Sequence, residues 1–189
     1  REIAVVQGFL RELTAVREKE LSTDRVVDLR LAKGGFTARL LRMQRHPCWR
    51  ESPGSYIEEI VLGLYPLIVR DYAPARKRAQ SLLGRLKEVP RLLDQARGNL
   101  DNPSPIFTES AAMTAKGART FVETAVKEFI AGLDDPRLVS QLERAAGDAR
   151  DAIEAYREWL EGSLMPHSHG DFAIGRSLFE RLLHEQHAI

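Results

Sequence analysis

Apolar residues recur along this chain at intervals of three and four, and no stretch alternates with a convincing period of two. The first stripe runs through Ile3, Val6, Leu10 and Leu13, widened by Val5, Phe9 and Val16. It predicts a helix over 1–20 with Gly8 as its weak link. Ser22-Thr23-Asp24 then offers N-cap chemistry. A second helix is expected from about Arg25, carried by Val27, Leu31, Leu40, Leu41 and Met43. Gly34-Gly35 bends or breaks it and His46-Pro47 stops it.

Cys48 to Ser55 reads as a loop in which Trp49 lids the core. Tyr56 to Tyr72 is the most apolar segment, with Ile57, Ile60, Val61, Leu64, Leu67 and Ile68, the pattern of a central helix buried on all sides. Pro66 inside it predicts a kink or break near Gly63-Leu64. Pro74 suits the first turn of the next helix, whose stripe is Ala79, Leu82, Leu83, Leu86 and Val89. Pro90 is expected to redirect the chain before Leu92, Leu93, Ala96 and Leu100 continue the face.

The least generic stretch is Arg85 to Ala112. In it Asp101-Asn102-Pro103-Ser104-Pro105 interrupts the helical pattern, each proline pushing its predecessor toward extended geometry. Thr108 with Ser110 then opens a helix carrying Ala111, Ala115, Ala118, Val122, Ala125, Phe129 and Leu133, and its small residues permit close helix approach. Asp134-Asp135-Pro136 is a start signal, an aspartate cap followed by proline. Leu138, Leu142, Ala145, Ala149, Ile153, Tyr156 and Leu160 form the cleanest inward stripe, ended by Gly162. Met165 to Asp171 reads as a loop. Phe172 to His187 reads as a last helix with Ile174, Leu178, Leu182 and Leu183 inward. The fold class that follows is all-α, an irregular bundle of six to eight helices with no sheet. The expected organisation is one domain over 1–189, with 101–107 as candidate sub-boundary. The missing initiator Met suggests a portion of a larger protein.

Composition adds exclusions. The 189 residues are long enough to bury a real core, and 43% hydrophobic with 29% charged residues is ordinary for a soluble domain. A formal charge of +1 leaves no footprint for nucleic acid or an anionic membrane surface. Arg76-Lys77-Arg78 reads as a solvated helix face because acids interleave nearby. The single cysteine, Cys48, excludes an intramolecular disulfide and reads as a small apolar residue with no activating base. No apolar run approaches the ~18 residues of a bilayer span. The cytoplasm is the favoured compartment, with a removed signal peptide as the alternative.

Candidate chemistry is sparse. His184 and His187 stand three apart on one helix face, a spacing usable for metal. However, His184-Glu185-Gln186-His187 is one residue short of H-E-x-x-H, whose histidines are four apart. A solvated helix end, its cations suited to the negative C-terminal dipole, is the favoured reading. His167 and His169 flank a serine in a loop, and an exposed or loop-capping role is favoured over a metal site. Glu58-Glu59 and Asp134-Asp135 lack an apolar pocket that would separate their pKa values. No phosphate loop, nucleophile elbow or dinucleotide fingerprint is present. No catalytic, cofactor-binding or metal residue is therefore assigned, and no cofactor is expected in this chain.

Three blocks carry more than periodicity. They are Tyr65-Pro66 through Asp71-Tyr72-Ala73-Pro74; Arg85 to Pro90 with Ala96-Arg97-Gly98-Asn99-Leu100; and Gly170-Asp171-Phe172-Ala173-Ile174-Gly175 with Phe179 and Leu182-Leu183. Together they resemble the N-terminal part of a bacterial family, domain-of-unknown-function 885. Thr108-Glu109 and Trp159-Leu160 fall where its pattern would place them. The resemblance implies a helical, zinc-peptidase-like protein whose H-E-x-x-x-G-H type metal motif lies in a C-terminal part. Nothing in this sequence matches that motif, so no ligand or base carries over. Phe179 stands where the family often has tyrosine.

The resemblance thus implies the helical, substrate-channel-forming portion of a metal-dependent hydrolase, with zinc and a peptide or small-molecule substrate belonging to the full-length protein. The alternative is a stand-alone helical interaction module. Expected partners are the remainder of its own chain or a second copy, with no nucleic acid and no membrane span.

Overall fold

A computed structural model describes residues 2–187. Helix accounts for 84% of the chain, and no strand occurs among the described residues. The chain falls into two compact units. One comprises residues 1–47 and 173–189, the other 48–172. The breaker segment 101–107 lies inside the second unit.

The first unit is built from α1 (Glu2–Ala15), α2 (Thr23–Arg45) and α9 (Arg176–His187). α2 runs unbroken through Gly34-Gly35, contrary to the expected bend. Gly34 is needed for approach rather than flexibility, because a Cβ there would collide with the backbone carbonyl of Glu185. α9 therefore lies directly on α2, with Ala38, Leu41 and Leu182 buried between them and Ile174 and Leu178 packed alongside. Arg42 adds a 2.6 Å hydrogen bond to Gln186. Val6 and Leu29 are buried, and Phe9 meets Phe36 at a 5.4 Å ring separation. α9 begins at Arg176 rather than Phe172. Gly175 has φ +79°, a conformation glycine adopts without strain, and it separates Ile174 from the helix.

The second unit contains a one-turn α3 (Cys48–Glu51) where a loop was expected, then α4 (Pro53–Val69), α5 (Ala75–Asn99), α6 (Pro105–Phe121), α7 (Lys127–Ala131) and α8 (Pro136–Trp159). Ile57, Leu64, Leu82, Leu86, Leu93, Leu142, Ile153 and Leu160 are at most 1% exposed and form one core. α5 runs unbroken through Pro90, which does not divide it into two helices. Proline in a helix interior costs about 3 kcal/mol. Buried Leu86, Val89 and Leu93 flank it, and fully burying such side chains contributes roughly 1.5–3 kcal/mol each. Packing wins. α4 likewise continues past Pro66 to Val69.

The alanines of α6 (Ala111, Ala112, Ala115, Ala118) are all buried, as the small-residue pattern required. Asp135 caps α8, accepting the Leu138 N–H at 3.1 Å, and the same carboxylate pairs with Arg76 at 3.1 Å. α6 passes through a π-turn at Val122–Val126 into α7, within the span expected of one helix from Thr108 to Leu133. α8 does not stop where expected: it passes through a second π-turn at Leu160–Leu164 into a 3-10 turn at Met165–His167. Gly162 sits inside that second turn rather than ending the helix. Leu160 and Leu164 explain why, since both are buried and hold the widened turn against the core.

Candidate functional site

The four histidines divide between the two units. His184 and His187 are exposed on α9 in the first unit, while His167 and His169 are exposed in the second. His167 Nδ1 stands 2.9 Å from the Ser163 carbonyl, and the His169 backbone N–H donates to Asn102 Oδ1 at 2.8 Å. Among the described residues no three His, Cys, Asp or Glu side chains stand together as a metal would need.

The third resemblance block begins, at Gly170, in a polar clamp of the second unit that joins it to the breaker segment. Asn102 adopts φ 48°, a left-handed conformation that asparagine tolerates, and this aims its side chain at the segment 168–170. Gly170 N–H donates to the Pro103 carbonyl at 3.1 Å. A Cβ on Gly170 would collide with the Asn102 carbonyl and lie 3.1 Å from the Pro103 carbonyl carbon, so only glycine fits. Beneath the loops, Thr108 and Ser168 share a 2.8 Å hydroxyl contact at 0% and 2% exposure. Ser168 Oγ also donates to the Leu164 carbonyl at 2.9 Å. Thr108, expected to open a helix, is thus a buried strut in the first turns of α6.

The first block, Tyr65 to Pro74, surrounds Arg78. Its guanidinium collects the carbonyls of Leu67 (3.0 Å), Ile68 (3.1 Å) and Ala73 (3.0 Å), pairs with Asp71 at 3.2 Å and stacks 5.2 Å from the Phe129 ring. Leu67 and Ile68 belong to the last turn of α4, whose carbonyls have no partner within the helix. Arg78 is only 8% exposed, so the reading of Arg76-Lys77-Arg78 as a solvated face fails at this member. A signal was present in the sequence: position 78 lies four before Leu82 and eight before Leu86, on the inward stripe.

Two tyrosines anchor the base of α4. Tyr156 donates to the Pro53 carbonyl at 3.1 Å with its ring fully buried, and burial pushes its phenol far above the usual range. Tyr56 donates to the Trp49 carbonyl at 2.7 Å and accepts from Asn99 at 3.1 Å. Burial raises its pKa too, partly offset by the Asn99 bond. Trp49 itself is 38% exposed and does not lid the core.

Between α6 and α8 lies a groove of about 570 Å³, lined by Glu109, Met113, Lys116, Arg157, Glu161 and Met165, among others. A chain of charges crosses it. Arg119 pairs with Glu123 at 2.9 Å and approaches Glu154 at 3.7 Å, and Arg157 joins Glu154 at 2.7 Å to Glu161 at 2.5 Å. The Arg157 hydrogen bond holds Glu154 below its ordinary pKa, and the two glutamates raise that of Arg157. A neighbouring hollow of about 480 Å³ opens beside the first π-turn, between Glu123, Lys127, Glu143 and Arg150. π-turns often mark functional places in helices.

The fold has a solved counterpart. A protein from Shewanella oneidensis, described as "a putative lipoprotein of unknown function", superposes with a TM-score of 0.83 at 22% identity. The match covers 97% of this chain and 34% of that one, so the chain spans about a third of that protein's length. No curated protein matches the sequence. A family model for bacterial proteins of unknown function (DUF885) matches residues 1–188, and the chain belongs to that family.

Proposed function

We propose that this chain is the helical, non-catalytic portion of a larger metal-dependent hydrolase, forming one wall of a channel for peptides or small amides. The observation that carries the reading is one of proportion. The family model matches the chain end to end, yet the chain spans only 34% of the fold counterpart. The hydrolytic chemistry rests on the family resemblance. In this reading the metal ligands and general base lie outside residues 1–189. This chain supplies the α6–α8 groove, whose fixed carboxylates and guanidiniums complement both ends of a peptide.

The test compares the native full-length protein with residues 1–189. The full-length protein is expected to cleave members of a short-peptide library with chelator-sensitive activity, and the 1–189 chain is expected to be inert and to bind no stoichiometric zinc. Tight one-to-one zinc in the 1–189 chain, or an inert full-length protein, overturns the proposal.

A second reading, a helical interaction module, is favoured by α4. Expected to be buried on all sides, α4 leaves Leu62, Tyr65 and Val69 at 68%, 50% and 52% exposure along one face. Substituting Leu62 with Gln in the natural protein and measuring its association state separates the readings. Loss of a protein complex favours the module, and an unchanged state favours the hydrolase.

A further inference from the structure

α2 carries a seam longer than the helix that packs on it. Val27, Leu31, Gly34, Ala38 and Leu41 follow one another at intervals of four, three, four and three, so they occupy one face. The C-terminal part of this seam is covered by α9. Gly34 faces the Glu185 backbone, Ala38 packs with Leu182, and Leu41 and Leu178 line one hollow. Rising numbers on α2 meet falling numbers on α9, so the two helices run antiparallel. The N-terminal part of the same seam is bare, with Val27 51% and Leu31 66% exposed.

We infer that Val27 is the seat of a continuation of α9, formed by the residues that follow Ile189 in the natural protein, and that Leu31 lies on the path to it. Continuity of register argues for this occupant. An α-helix rises 1.5 Å per residue, so Val27 lies about 10 Å beyond Gly34 along the α2 axis. An antiparallel partner that passes Glu185 at Gly34 reaches Val27 after about seven more residues, two turns past Glu185. The knob facing Val27 would therefore stand about three residues after Ile189. Leu and Val at these positions suit an apolar partner helix packing in the α2–α9 manner, with one side chain in each of the next two turns.

This inference rests on the reading of the chain as part of a longer protein, and the experiment separates the two. In the native full-length protein, with Cys48→Ser as background, Val27→Cys and Leu31→Cys are compared with Asp28→Cys, an exposed position about 100° around the helix from Val27. The seam thiols are expected to react with a maleimide roughly tenfold or more slowly than the position 28 thiol, because local opening must precede reaction. Oxidative crosslinking of Val27→Cys to single thiols placed successively after Ile189 should peak near the third residue and fall away on either side. Seam thiols as reactive as position 28, or crosslinking without a helical period, overturn the inference while leaving the longer-protein reading intact. Protection that vanishes on dilution marks a second copy as occupant and also overturns it. A native product ending at Ile189 removes both.

Discussion

The two compact units solve the same problem with unequal means. The second unit buries a continuous core running from Tyr56 to Leu164 and secures its loops by specific devices: the Arg78 cradle, the Thr108–Ser168 strut and the Tyr156–Pro53 bond. The first unit has a cluster of three buried residues, Ala38, Leu41 and Leu182, plus Val6 and Leu29. It leaves Val5, Phe9, Val27, Leu31 and Phe179 between 46% and 66% exposed. Both units leave an apolar face that their own helices do not cover, Leu62, Tyr65 and Val69 in the second and Val27 with Leu31 in the first, but the second has by far the larger core beneath it.

That contrast can be broken first at the core. Leu86→Ala, at a position 0% exposed, should cost about 2–5 kcal/mol, read as a lower urea midpoint with unchanged slope. A loss below about 1 kcal/mol would mean that the second unit is not the stable one.

Adding one methyl in each unit sharpens the comparison. Gly170→Ala and Gly34→Ala both push a Cβ into backbone, and overpacking of this kind costs about 1–3 kcal/mol. Gly34→Ala should abolish amide protection in α9 and leave α5 and α8 protected. Gly170→Ala should lower protection at the 101–105 and 168–170 loops. Equal loss across both units for either variant would show that they melt as one.

A smaller effect concerns Tyr156. Its phenol is held neutral, with a pKa raised above its unfolded value of 10.0. A raised pKa gives stability that is fully present below the unfolded value and lost as pH rises toward the folded value. The wild type should therefore weaken above about pH 10, as phenol ionisation competes with burial. Tyr156→Phe should cost roughly 1 kcal/mol at neutral pH by leaving the Pro53 carbonyl unpaired, and should flatten that alkaline decline. An equally steep decline in the variant, followed by urea titration, would assign it elsewhere.

The smallest effect belongs to the groove charges. Arg157→Gln breaks pairs that are largely solvated, so the expected loss is below about 1 kcal/mol and shrinks with salt.

Much of the fold was legible in the sequence because helix periodicity is a local signal. The 138–160 stripe became α8, with its Asp135 cap and Pro136 start in place. Misreadings arose where long-range packing overrides a local rule. Pro90 and Gly34-Gly35 look like breakers until the burial around them is known, and Gly34 is explained only by a helix about 150 residues later in the chain. Leu62, Tyr65 and Val69 look like core in a one-dimensional reading because apolarity does not say which faces have neighbours. The candidate site was least legible. Arg78 sat inside a basic triplet and Thr108 at an apparent helix start, while Ser168 lay between two histidines that drew the eye to metal. Each is a polar residue whose role is set by a partner distant in sequence or by the end of another helix.

The intact mass of the native protein bears most directly on the central claim that these 189 residues are the non-catalytic part of a longer hydrolase. The expected result is a product well over twice this length, in keeping with the 34% share that the chain covers in its fold counterpart. A native product ending near Ile189 would contradict it.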